Sequence, residues 1–442
     1  MQPPTAAASS SRRALVFCLL GAILCDYADR NVLGLLLQPI GDSLNLSYLQ
    51  LGSLSSALLV FYIIASAPIA VAVERTADRS RMLAGAVAAW SVFAALSGAA
   101  QSYWQLLFCR IMVGIGEATV SPVAQTLISD TFSPSERTGA LGIYLSGIPL
   151  GNVVGYGLGA AVSHFAATWR WVFVAVAAPG LPVAAACALC IADPRGGVAP
   201  TTTTAAASDA PASAWRHFGS SLGALWSVRG SGWLAAWRGI SSVGAGAYAF
   251  TSPFLTARFG MSTEEVGAFS AFGLGLFPWG CTIAGGLIID QLVKRSGTTK
   301  PMIYVSVALA LPSLAVATVA ILTRRRILSL ILFVLFNGIE AATGAGISSL
   351  VQTSAPRGSR AVAITLFLFV GFGGTAIGTP MIGALADGLE PSLGRADALS
   401  RAMLLVFATA KAVGFVLLWV TARVIDYVPA TPTSGDGERF LI

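Results

Sequence analysis

Residues 13–39, RALVFCLLGAILCDYADRNVLGLLLQP, read as one apolar membrane-length run interrupted in its middle by Asp26, Asp29 and Arg30. A charge near the centre of a bilayer costs about 2.5 to 3.5 kcal/mol on insertion scales, so it persists where it lines a cavity or meets a partner. A partner stretch lies further along, where a second apolar run carries Arg110 and Glu117. Seven residues apart, these two share a helix face at about 10 Å separation. Carboxylates and two arginines inside membrane spans point to a proton-handling polar cavity.

The composition places this pattern in a membrane protein. Of 442 residues, 55% are hydrophobic and only 11% charged, against a charged fraction near ~25% in soluble domains. Twelve runs are long enough to span, near 14–37, 49–73, 82–100, 104–129, 138–163, 170–192, 232–257, 265–290, 301–322, 327–352, 361–386 and 401–425, each meeting the ~20 residues a spanning helix needs. The first run lacks a small-residue cleavage site and is expected to be retained as a span. Loop cations such as Arg12, Arg13, Arg75, Arg79, Arg81, Arg137 and Lys294 fall on the side that holds both termini. The positive-inside rule therefore puts both termini in the cytoplasm of a multi-pass protein of the cell membrane. The Arg324–Arg326 cluster is the exception. The net charge of +7 is spread along the loops, as expected for topogenic charge and anionic lipid, not nucleic acid.

Enzymatic and metal-bound functions find little support. Cys18, Cys25, Cys109, Cys187, Cys190 and Cys281 all fall in apolar runs without matching ligands, and the two histidines, His164 and His217, stand at a span end and in a linker. No P-loop, dinucleotide fingerprint or nucleophile–base–acid set is present. The expectation is no enzyme, no cofactor and no metal.

The chain divides near its middle. A Thr/Ala/Ser/Pro-rich stretch separates two sets of six runs, so the expected organisation is a bundle at 1–192, a cytoplasmic linker at 193–231, a second bundle at 232–426 and a tail at 427–442. Trp215, Phe218, Leu222 and Leu225 recur at helical spacing within the linker, as in a helix lying on the membrane surface. The halves also repeat. Ser133–Arg137 leads into a span with Gly151 and Gly155, and Pro356–Arg360 leads into one with Gly374 and Gly378. The same register carries Glu117 onto Glu340. Parallel six-span repeats with substrate held between them are the layout of an alternating-access carrier, and glycines permit the close helix approach that rocking requires.

The two halves and their linker resemble the major facilitator superfamily. Its loop signature is matched by Asp78-Arg79-Ser80-Arg81, and again by Gly286 to Asp290 followed by Lys294-Arg295. Within it, Tyr27-x-Asp29-Arg30 and Arg110-x3-Gly114-x-Gly116-Glu117-Ala118, with Ile128-Ser-Asp130 and Ile148-Pro149-Leu150-Gly151, resemble the Spinster family of lipid transporters. The resemblance implies an all-α protein of twelve transmembrane helices that moves lysolipids or sphingoid-type amphipaths coupled to protons, working as a monomer. It implies Asp29 and Glu117 as protonatable acids, with Arg30 and Arg110 as cavity cations. Arg30, Arg110 and Glu340 are the expected substrate-binding residues, and Asp78, Arg79, Arg81, Asp290 and Lys294 the expected gate. The roles of Asp26, Arg238 and Lys411 stay open. So does a proton-coupled carrier of small organic anions or drugs, while a channel or non-transporting lipid receptor gives no reason for duplicated halves.

Overall fold

The computed structural model of the chain describes residues 6–165, 168–196, 229–354, 360–425 and 427. Among them the secondary structure is helical, without an extended strand. The first half runs α1 (Ala6–Leu44), α2 (Tyr48–Arg75), α3 (Arg79–Ser97), α4 (Tyr103–Glu117), α5 (Val120–Thr131), α6 (Pro134–Leu145), α7 (Gly147–Phe165), α8 (Arg170–Ala177) and α9 (Gly180–Cys190). The second runs α10 (Ser231–Ala245), α11 (Thr251–Phe259), α12 (Thr263–Ser270), α13 (Phe277–Ser296), α14 (Pro301–Leu322), α15 (Arg326–Ser354), α16 (Arg360–Leu393) and α17 (Arg395–Val424). The surface helix expected around Trp215–Leu225, His217, the loop residues Pro356–Ser359 and the tail beyond Tyr427 lie outside the described residues.

Among the described residues, ten helical stretches are long and apolar enough to cross a membrane by length and composition, in keeping with the all-helical membrane class. Two expected spans are missing from that set for physical reasons. The run at 14–37 lies in α1, where Asp26, Asp29 and Arg30 interrupt its apolar character. The run at 232–257 is not one continuous α-helix: α10 gives way to a 3-10 turn at Gly246–Phe250 before α11. Gly244, Gly246 and Pro253 cluster there, and each weakens a continuous α-helical ladder.

Local chemistry sets several boundaries. Ser47 and Gln50 form a capping box that starts α2, after Asn45 turns the chain at a φ of 52°. Asp78 caps α3 and Ser102 caps α4 through their side-chain oxygens. The duplicated glycines do the same work in each half. A Cβ at Gly151 would stand 2.6 Å from Leu24 O, and one at Gly155 would stand 2.5 Å from Ala28 O, so α7 rests directly on the α1 backbone. Gly374 and Gly378 of α16 meet the carbonyls of Gly239 and Val243 on α10 in the same manner.

The chain forms two compact units. One comprises Met1–Ala214, Tyr248–Gly275 and Thr379–Leu399, the other Trp215–Ala247, Leu276–Gly378 and Ser400–Ile442. The first therefore takes in segments from both sequence halves. Within it, the Asp387 carboxylate accepts hydrogen bonds from Tyr48 N and Leu49 N at 2.8 Å each, occupying the start of α2. Arg395 pairs with Asp42 at 3.0 Å, and Ser252 Oγ donates to Leu35 O at 2.7 Å. His164, at the end of α7, pairs with Glu264 at 2.7 Å.

Backbone contact at Gly155 yields a direct test. Gly155→Ala must push α7 from α1 and is expected to lower stability by roughly 1 to 3 kcal/mol, the usual cost of overpacking. Gly157→Ala, whose added methyl meets nothing within 4 Å, is expected to leave the thermal unfolding midpoint unchanged or slightly raised. Equal effects from the two substitutions would contradict the packing argument.

Candidate functional site

The charged residues of α1 and α4 meet in one layer. Asp26 and Arg30 are four residues apart on α1 and share a face. The Arg30 Nε lies 2.6 Å from the Asp26 carboxylate and donates to Glu117 Oε2 at 2.9 Å. Its guanidinium stands over the rings of Tyr27 and Tyr62 at 5.1 and 4.7 Å. Beside it, Arg110 donates to Asp29 Oδ2 at 3.0 Å and to Ser97 Oγ at 2.5 Å, with Phe173 against its face. Asp26, Asp29, Arg110 and Glu117 are all buried, and the Arg30 side chain keeps 13% of its surface accessible.

The motif around Glu117 has a packing cause. Gly114 lies against the Leu58 carbonyl of α2, and a Cβ at Gly116 would stand 2.8 Å from Trp90 on α3. The two glycines let α4 sink between its neighbours, which brings Glu117 to Arg30. Glu117 is also the last residue of α4 before the break to α5, a detail that a continuous apolar run at 104–129 does not signal. Arg110 was expected to contact substrate. It is 0% exposed, and its bonds to Asp29 of α1 and Ser97 of α3 tie α4 to both helices.

In the second unit Glu340 sits midway along α15. It accepts from Ser313 Oγ at 3.0 Å and pairs with Lys411 Nζ of α17. Trp237, Ser241, Ser306 and Thr343 line the small cavity beside this pair. Lys411 was left without a role in the sequence because its partner lies on another helix 71 residues away; a lysine inside an apolar run was the available signal.

The expected gate residues divide. Asp78 keeps local partners, accepting from Arg81 N at 3.0 Å and Ser80 Oγ at 2.6 Å, and these bonds hold its carboxyl below the usual carboxylate range. Arg81 pairs with it at 3.1 Å and is largely exposed. Arg79, by contrast, is fully buried. It donates to Asp130 at 2.7 Å and to both oxygens of Asp193 at 2.6 and 3.0 Å. Burial opposes the Asp193 charge, but Arg79 and the amides of Arg195 and Arg79 outweigh it and lower its pKa. Arg195 in turn donates to the carbonyls of Val73, Glu74 and Thr76 at the end of α2. Asp290 and Lys294 are exposed and make no ion pair among the described residues. Asp130 and Asp193 were thus not recognised as the partners of Arg79, since only folding brings positions 79, 130 and 193 together.

One more pair lies outside the apolar spans. Arg12 binds Glu136 at 2.6 Å with Ser133 donating to the same carboxylate, and the Glu136 pKa falls to about 2. A carboxylate whose folded pKa is lowered keeps its favourable contact above its ordinary value and loses it only as pH falls through the folded one. This pair therefore stays charged throughout the neutral and mildly acidic range.

The buried pairs carry a stability prediction. Asp29→Asn leaves the Arg110 charge in the core without a counter-charge and is expected to cost about 3 to 5 kcal/mol. Asp26→Asn leaves Arg30 its Glu117 partner and should cost less. Thermal unfolding of the purified variants ranks them, and a milder effect at Asp29 than at Asp26 would refute the assignment of Arg110 to Asp29.

Comparison with known proteins agrees with this architecture. The Major Facilitator Superfamily model matches residues 19–379. An MFS-type efflux pump of Mycolicibacterium smegmatis is 30% identical over 414 residues, 92% of this chain and 91% of that protein. The human protein spinster homolog 1 is 32% identical over 196 residues, 43% of this chain and 37% of its own length. A sphingosine-1-phosphate transporter of Mus musculus is 32% identical over 154 residues, 34% of this chain and 28% of its own length. In three dimensions, a bacterial homolog of the human lysosomal transporter Spinster, in an inward-facing and occupied conformation, superposes with a TM-score of 0.74 at 23% identity, covering 93% of this chain and 95% of that one.

Proposed function

This chain belongs to the major facilitator superfamily as a Spinster-like transporter, not an enzyme, and we propose that it is a proton-coupled secondary carrier of lysolipid- or sphingoid-type amphipaths working by alternating access. The observation that carries the proton half is a charge imbalance. Asp26, Asp29 and Glu117 bring three acids to the two arginines Arg30 and Arg110. One proton balances the cluster, and an unbalanced charge inside a membrane is costly.

The mechanism follows from Arg30, which touches both Asp26 on its own helix and Glu117 on α4. With Glu117 ionised, Arg30 ties α1 to α4. A proton on Glu117 removes that attraction and leaves Arg30 to Asp26. Proton binding thereby changes the relative energy of states that differ in the α1–α4 contact, which is what a coupling ion must do. In this scheme Asp29 and Arg110 form the fixed member and Arg30 the mobile one. Arg79, gripping Asp130 and Asp193, is the strongest gate element, with Asp78 and Arg81 shaping the helix start beside it and Asp290 and Lys294 as the second-half counterpart. The proposal has both termini in the cytoplasm, as the distribution of loop cations suggests, and a monomer in the cell membrane.

The lipid half of the reading draws on the partial identity to a sphingosine-1-phosphate transporter. A second reading, export of drugs or small organic anions, is favoured by the full-length similarity to an efflux pump. Both share the proton site.

The test is an inward/outward distance or fluorescence reporter followed against pH in reconstituted protein. Glu117→Gln is expected to abolish the pH response because an amide cannot change charge, and Asp29→Asn or Asp26→Asn to shift or blunt it. A wild-type pH response in all three variants would overturn the proton mechanism.

A further inference from the structure

The cations of the charge layer are spoken for. Arg30 and Arg110 are engaged by acids in the first unit, and Lys411 by Glu340 in the second. Arg238 of α10 is different. Among the described residues it has no hydrogen bond or ion pair, and its buried Nε lacks an acceptor. Glu340, whose charge reaches it, is already taken by Lys411 and Ser313.

The side chain is nevertheless fixed in place. Its guanidinium stands over the Phe367 ring at 5.3 Å, and Phe367 is stacked on Trp237 at 6.3 Å. Gly371 supplies the room: a Cβ there would lie 2.5 Å from Arg238 Nε. Gly371 stands eight residues after Ala363, where the span begins, or about 12 Å along the helix axis. An arginine at that depth, held by a ring and a glycine and bonded to no acid among the described residues, is a preorganised site for anionic oxygens, since its planar fork donates two parallel bonds to a phosphate or carboxylate.

We propose that Arg238 is the anchor for the phosphate or carboxylate group of the transported amphipath, with Phe367 and Gly371 as its positioning residues. This rests on the reading of the chain as a carrier of amphipathic substrates and names the headgroup chemistry that reading leaves open. It also assigns the anion-binding task to the second unit, because the arginines of the first are engaged with its own acids. The apolar tail needs only greasy helix surface, which the spans supply.

Binding to full-length protein in phosphatidylcholine nanodiscs tests it, with tryptophan fluorescence as the readout and three probes: a lysophosphatidate, a monoacylglycerol of the same chain length, and inorganic phosphate. The wild type is expected to bind the lysophosphatidate about tenfold or more tighter than the monoacylglycerol, and Arg238→Gln to remove that preference while changing monoacylglycerol affinity less than about twofold. Gly371→Ala keeps the charge but displaces the guanidinium, and it is expected to lose part of the preference. Arg238→Lys should fall between wild type and Arg238→Gln. An undiminished lysophosphatidate preference in Arg238→Gln, or equal weakening of both lipids, overturns the anchor while leaving the lipid carrier reading in place. Competition by inorganic phosphate as strong as by the lysophosphatidate overturns the amphipath as its ligand. Failure of the wild type to bind either lipid overturns the anchor together with the carrier reading on which it rests.

Discussion

A charge buried among membrane helices must be matched by an opposite one, and this constraint organises the first unit. Asp26, Asp29, Arg30, Arg110 and Glu117 satisfy it only as a group, because each arginine of α1 or α4 finds an acid on the facing helix. The alternative, charged groups left unpaired in a low-dielectric interior, is expensive enough to dictate which faces of α1 and α4 meet. The same group is one negative charge in excess when fully ionised. Structural pairing and the proton coupling proposed for this cluster would draw on one arrangement, in which Arg110 holds Asp29 and Arg30 lies between Asp26 and Glu117.

Close approach of backbones is the condition for that pairing. Gly114 and Gly116 let α4 settle against α2 and α3, and Gly151 and Gly155 let α7 lie on α1. Without Cβ atoms at these points the helices sit nearer, and short acidic side chains reach their partners across the interface. The second unit repeats the glycine device at Gly374 and Gly378 but changes the chemistry, since Glu340 meets a lysine of α17 where Glu117 meets an arginine of α1. A duplicated scaffold has thus acquired two different polar centres.

The ends of the helices are governed by local polar chemistry. Capping serines, Asp78 and Arg195 satisfy amides and carbonyls that a helix leaves open. Asp387 performs this service for α2 from a distant part of the chain, so that a cap becomes a tertiary tie. Such ties are held by a few hydrogen bonds in partly solvated surroundings, and their strength is modest compared with the buried pairs.

What the sequence determined by itself is what periodicity, length and cost make unavoidable: apolar runs of spanning length, a duplicated glycine register, and charged residues at Asp29, Arg30, Arg110 and Glu117 too costly to be incidental. The break of the run at 232–257 near Gly244, Gly246 and Pro253 appeared only in the structure, whereas the charges that interrupt the first run, Asp26 to Arg30, were also written in the sequence. Pairings between distant positions were not. That Arg79 is held by Asp130 and Asp193, that Lys411 answers Glu340, that Arg110 is sealed from solvent and that Arg238 has no acid partner among the described residues are facts of side-chain distance. A residue's type announces that it needs a partner, because the energy of an isolated charge depends on its surroundings alone. Which partner it receives depends on how helices far apart in the chain are brought together, and only the tertiary structure decides that.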